Sequence, residues 1–227
     1  MQGPVGVSRR PDFFDCYLEF IMRKFLATLL LIGFAPVAWA LSPYFYGDKV
    51  QAGDVQAAMA QVEGKLSKAG FNVVGKYAPS GLPGYGVVVV TEQGLLNAVR
   101  NLGGASVVGA PIRIGVKSDG TVSYQNLEYW LRAYFRKQYP LSEKAVKATH
   151  AKLTKALGAG KAFGGDVDRK DLADYQYMFG MEGFESDKNM VMEHLAFEDA
   201  VKTIQDNLAR GVGKTAKVYE IIMPDKK

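Results

Sequence analysis

The chain has 227 residues, a net charge of +5 at pH 7 and a single cysteine. The charge is mild and dispersed, without a long basic run, which argues against nucleic acid as a partner. The one thiol, Cys16, lies ahead of the segment expected to fold, which excludes thiol catalysis, thiolate metal ligation, c-type haem attachment and a cysteine lipid anchor.

Met22–Ala40 reads MRKFLATLLLIGFAPVAWA. Arg23 and Lys24 form a positive n-region, Phe25 to Val37 an apolar h-region, and Ala38 and Ala40 the small residues that a signal peptidase reads. The run is too short, and too soon interrupted by Pro36, to span a bilayer. The expectation is a cleaved secretory signal over 22–40 and a periplasmic or secreted mature chain. No stable membrane anchor is expected after cleavage. Residues 1–21, with Arg9-Arg10 and Phe13-Phe14, then form an upstream extension before the initiator Met22. Residues 41–227 are expected to form one domain, large enough to bury a core without disulfides.

Along that domain, Asp54–Ala69 predicts an amphipathic helix with Val55, Met59, Val62 and Leu66 on one stripe, Asp54 as cap and Gly70 as stop. A strand follows at Phe71–Lys76, then a glycine- and proline-rich loop at Ala78–Gly86. Val87–Thr91 is β-branched without alternation, the pattern of a strand covered on both faces. A second helix spans Glu92–Leu102. Ile112–Val116 and Thr121–Tyr124 flank Ser118-Asp119-Gly120, a hairpin signal.

Asn126 caps a third helix, Leu127–Lys137, with Leu127, Trp130, Leu131 and Tyr134 on one face and Arg132 and Arg136 away from it. The fourth helix, Ser142–Leu157, sets Lys144, Lys147, Lys152 and Lys155 on a solvated face opposite Val146, Leu153 and Leu157, with His150 at the edge as a half-buried structural histidine. Gly158–Asp166 (GAGKAFGGD) lacks the Walker spacing and reads as a flexible connection. A short helix is expected over Asp171–Phe179, a turn region over Gly180–Lys188, a strand over Met190–Phe197, a helix over Glu198–Arg210 and a last strand over Lys217–Met223.

Gln56–Pro79 and Glu198–Pro224 share one order: helix, glycine stop, strand, proline. The fold class expected is therefore α+β. Amphipathic helices pack on a mostly antiparallel sheet built from α/β half-units.

The segments GFNVVGKYAP (Gly70–Pro79), VSYQNLEYWLRAYFR (Val122–Arg136), GAGKAFG (Gly158–Gly164), YQYMFGM (Tyr175–Met181) and FEDAVKTIQDNLARGVGKTAKVYEIIMP (Phe197–Pro224) are similar to exported proteins of the family called domain of unknown function 302. The resemblance covers most of Gln51–Pro224 and implies a compact α+β domain with no catalytic residues to carry over. Those relatives continue with further strands after the segment matching Lys217–Met223, whereas Asp225-Lys226-Lys227 ends this chain. The resemblance thus implies either a domain incomplete at its C-terminal end or one that closes differently there.

One stretch invites chemistry. Tyr175–His194 holds Met178, Met181, Met190, Met192 and His194 among Tyr175, Tyr177, Phe179 and Phe184. Thioethers and imidazole suit Cu(I). Met178 and Met181 share a face if helical, and Met190, Met192 and His194 share one if extended. The competing reading is methionine as core filler against aromatics. A second candidate is an apolar cleft lined by Tyr124, Tyr129, Trp130 and Tyr134 beside Phe135.

With two histidines and no G-x-S-x-G, a serine triad has no visible support, and no carboxylate pair or cofactor fingerprint can be named. The reading leans away from an enzyme. It favours an exported binding or accessory module of the bacterial cell envelope, with Cu(I) handling as the alternative and no other cofactor.

Overall fold

The computed structural model describes residues 40–176, 178 and 180–223. The expected extension, the expected leader up to residue 39, Tyr177, Phe179 and residues 224–227 lie outside the described residues.

Two short strands open the described chain, β1 (Ala40–Leu41) and β2 (Tyr44–Tyr46). Asp54 then caps α1 (Val55–Lys68), its carboxylate accepting from the Gln56 amide at 2.7 Å. Ala58, Met59, Val62 and Leu66 recur at the helical period and are all buried. Strands β3 (Asn72–Tyr77) and β4 (Tyr85–Thr91) follow. Val88, Val89 and Val90 are fully buried, so β4 is covered on both faces, as its unbroken valine run predicts.

α2 (Gln93–Leu102) leads to β5 (Ile112–Lys117), where Ile112, Ile114 and Val116 are buried and alternate with Arg113, Gly115 and Lys117 on the opposite face. The turn into β6 (Val122–Gln125) is closed by the Asp119 carboxylate, which accepts from the Thr121 amide at 2.9 Å. Gly120 sits there at φ 81°, and a Cβ would strike the Val50 carbonyl. Asn126 caps α3 (Leu127–Phe135), and α4 (Glu143–Leu157), β7 (Ala162–Phe163), β8 (Val167–Asp168) and α5 (Phe197–Ala209) complete the elements.

The main sheet runs β3-β4-β5-β6-β2-β7, every pairing antiparallel, and β1 pairs with β8 apart from it. α1 packs on β4 and β5, and α4 packs against α1, α2 and α3. The fold is α+β, with helices layered on an antiparallel sheet. Among the described residues, no helix is long and apolar enough to cross a membrane.

Several expected elements change. Met190–Phe197 is not a strand: it runs irregularly into α5, because no neighbouring strand offers its backbone a ladder. Within the expected helix Asp171–Phe179, Asp171–Asp174 forms a 3-10 turn and Tyr175, Gln176 and Met178 are irregular, while Tyr177 and Phe179 lie outside the described residues. Lys217–Met223 pairs with no strand. It crosses the sheet at Gly75, where a Cβ would strike the Val218 carbonyl, and at Arg113, which donates to the Tyr219 hydroxyl at 3.0 Å. Conversely, the connection Gly158–Asp166 contributes β7, which pairs with β2.

Candidate functional site

The site starts from Asn126. Its side chain caps α3 by accepting from the Glu128 amide at 3.2 Å and donates to the Ser42 carbonyl at 2.8 Å. The Asn126 amide and the Trp130 indole Nε1 both donate to the Pro43 carbonyl, at 2.8 and 2.9 Å. This fastens Ser42–Tyr46 to the start of α3 and fixes the Trp130 ring. Tyr44, Tyr129 and Tyr134 then pack around that ring with centroids at 5.7, 5.4 and 5.7 Å.

The facing wall comes from Tyr175, Gln176 and residues 181–189, and its anchor is Arg136. This residue ends α3 at φ 54°, ψ −132°, a region that side-chain-bearing residues rarely occupy. Its guanidinium donates to the Ala173 and Tyr175 carbonyls at 3.1 and 2.9 Å and to the Glu185 carboxylate at 2.9 Å. It also lies 5.4 Å from the Phe184 ring centroid, and Phe184 meets Tyr134 edge-on at 5.8 Å.

Between the walls lies a cleft of about 530 Å³, lined by Tyr129, Trp130, Tyr134, Tyr175 and Phe184 with Gln176, Met181, Glu182 and Asn189 among the polar and flexible groups. That volume is in the range of small-ligand sites, roughly 300–1,000 Å³. Burial raises the pKa of Tyr129 and Tyr134, so both phenols stay protonated as donors at neutral pH.

Of the four aromatic residues expected to line a cleft, the structure brings Tyr129, Trp130 and Tyr134 together and sets Tyr124 elsewhere. Tyr124 is buried on β6 and donates to the Gly158 carbonyl at 2.7 Å. It borders a second cleft of about 560 Å³ with Phe45, Glu128, Thr154 and His150. The His150 ring lies 5.6 Å from Phe45, and its buried Nδ1 has no hydrogen-bond partner among the described residues. Burial lowers the His150 pKa, against a smaller raising effect of Glu128, and favours the neutral imidazole.

The methionine constellation takes a different form from the one expected. Met178, Met181, Met190 and Met192 are 59, 46, 63 and 64% exposed, so they are not core filler. The strand that would align Met190, Met192 and His194 is absent, and His194 is half-buried in an irregular segment. Only Met181 joins the cleft lining. Among the described residues no group of three or more His, Cys, Asp or Glu is placed to hold a metal ion.

Sequence reasoning missed Tyr44, Arg136 and the polar lip formed by Gln176, Glu182 and Asn189. A helix-terminal arginine just before Lys137-Gln138-Tyr139-Pro140 was the available signal for the anchor. Lys152 is exposed, as expected of a solvated face, but its ammonium also reaches the buried Glu92 carboxylate at 2.6 Å, which sequence reasoning did not foresee; Thr149 donates to the same carboxylate at 3.0 Å and the Leu95 amide at 2.9 Å. No family model matches the chain, and no curated protein matches it.

Proposed function

We propose that the protein is a small-ligand binding module of the bacterial cell envelope, with its site in the cleft between α3 and the segment that contributes Tyr175, Gln176 and residues 181–189. The observation that carries the reading is the cleft: aromatic faces, phenols without a hydrogen bond among the described residues and a polar lip, bordered by Arg136 and the Trp130–Pro43 bond. The Met22–Ala40 pattern supports an exported location. The resemblance to the domain of unknown function 302 family belongs to the same proposal.

The test is a thermal-unfolding screen of a small-molecule library against the parent and Gln176→Trp, a change at an exposed lip position that fills the cleft. A ligand at 100 times its Kd stabilises the folded state by roughly 2.7 kcal/mol. The expected result is compounds that raise the parent's midpoint and leave the variant's unchanged. Compounds that stabilise both equally would place binding elsewhere.

A second reading, Cu(I) handling through Met178, Met181, Met190, Met192 and His194, is favoured by one observation: all four methionines are exposed. It requires the segment to fold around the ion. A Cu(I) titration against a competing chelator should then show stoichiometric binding that is lost in Met190→Leu/Met192→Leu/His194→Ala. No binding by the folded parent removes this reading.

A further inference from the structure

The lining of the aromatic cleft carries two formal charges among the described residues, and both are already engaged within the protein. Arg136 donates to the Glu185 carboxylate and to two backbone carbonyls. Glu182 accepts from the Lys188 ammonium and from the Ser186 hydroxyl. An incoming anion would meet Glu182 and find the one cation of the lining committed. An incoming cation would meet Arg136 and find Glu182 committed to Lys188. In a mostly aromatic slot, an uncompensated charge is costly.

The unengaged polar groups are neutral. The hydroxyls of Tyr129, Tyr134 and Tyr175 make no hydrogen bond among the described residues and are not sealed from solvent. The Gln176 side chain is likewise unengaged at the lip, and Asn189 uses only its Nδ2, donating to the Gly183 carbonyl at 2.9 Å. The Trp130 donor is spent on Pro43, so the indole offers a face rather than an N–H. Flat faces and neutral donors around a narrow slot suit a ring that stacks and carries its polar groups on its edge.

Resting on the reading of this cleft as a ligand site, we propose that it takes an uncharged aromatic compound bearing hydroxyl or amide groups on its ring. Glu182 and Arg136 act as rejecting elements, each kept silent by its partner until a charged competitor enters.

Three probes share one ring and differ in charge: 4-hydroxybenzyl alcohol (neutral), 4-hydroxybenzoate (anion) and tyramine (cation). They are titrated against the full chain carrying Trp39→Phe, so that Trp130 is the sole indole, with its fluorescence as readout. The expected result is saturable binding of the neutral probe, roughly tenfold or more tighter than either charged one. Lys188→Ala, at an exposed position, frees Glu182 and should raise tyramine affinity several-fold against the neutral probe. Equal or tighter binding of a charged probe by the parent, or an unchanged ratio in Lys188→Ala, overturns the charge inference and leaves the cleft reading standing. No saturable response to any probe overturns both.

Discussion

At the scale of single residues, the buried Glu92 and the half-buried His150 contribute to the acid response of the fold in opposite chemical ways. Burial raises the Glu92 pKa. Hydrogen bonds from Lys152, the Leu95 amide and Thr149 outweigh that and hold it below the ordinary value. A depressed carboxylate stabilises the folded state above its unfolded pKa, and the contribution is lost as pH falls through the folded value. Glu92→Gln should cost roughly 1–3 kcal/mol at neutral pH and flatten the acid limb of the stability curve. His150 works at higher pH. Its pKa is lowered from 6.5 by burial, so the unfolded chain binds the proton first and stability declines as pH drops below that value. His150→Phe, which keeps a ring against Phe45, should remove this decline and leave the Glu92 limb intact. Chemical denaturation across pH 3–8 separates the two. Parallel curves for parent and His150→Phe would show that the imidazole is solvated rather than buried.

At the scale of elements, the chain divides into parts whose neighbours are local and parts whose neighbours are distant. α1 and the β4 valine run were legible because periodicity, caps and β-branching act within a few residues. The hairpin was legible because Asp119 and Gly120 dictate its turn directly. β2, β7 and β8 were not, since strands of two or three residues carry no period and exist through their partners. Lys217–Met223 shows the converse. Tyr219, Ile221 and Met223 turn inward in strict alternation, yet this pattern marks a segment lying across a sheet as well as one within it.

α5 repeats the α1 spacing, with Ala200, Val201, Ile204 and Leu208 matching Ala58, Met59, Val62 and Leu66, but buries none of the four. The aromatic cluster was half legible for the same reason. Tyr129, Trp130 and Tyr134 lie on one helix, whereas Tyr124 lies on a strand whose pleat turns it to another cleft. Among the described residues the wall opposite α3 holds a single 3-10 turn, Asp187–Asn189, and neither an α-helix nor a strand, so its order depends on Arg136. Arg136→Ala should lower amide protection across residues 175–189 by roughly 1–3 kcal/mol of local opening free energy and leave β4 and β5 protected as before. Equal protection in parent and variant would relocate the anchor to the Phe184–Tyr134 contact.

At the scale of the whole molecule, the sheet and its helices form a rigid frame, and the cleft is built where that frame meets the irregular chain after Asp174. One wall, α3, is fixed on both sides: Leu127, Leu131 and Phe135 enter the core, and Trp130 and Tyr134 stand toward the cleft. Among the described residues the other wall is held to α3 by the Arg136 guanidinium and the Phe184–Tyr134 contact. This pairing of a fixed face with a lightly held one allows entry without disturbing the core. The most direct measurement is a chemical-shift map of the labelled full chain titrated with 4-hydroxybenzyl alcohol. The expected result is a saturable set of shifts centred on the Trp130 indole N–H, Tyr134 and the side-chain amides of Gln176 and Asn189. Shifts centred on His150, Ala151 and Thr154 would move the site to the other cleft and contradict the account.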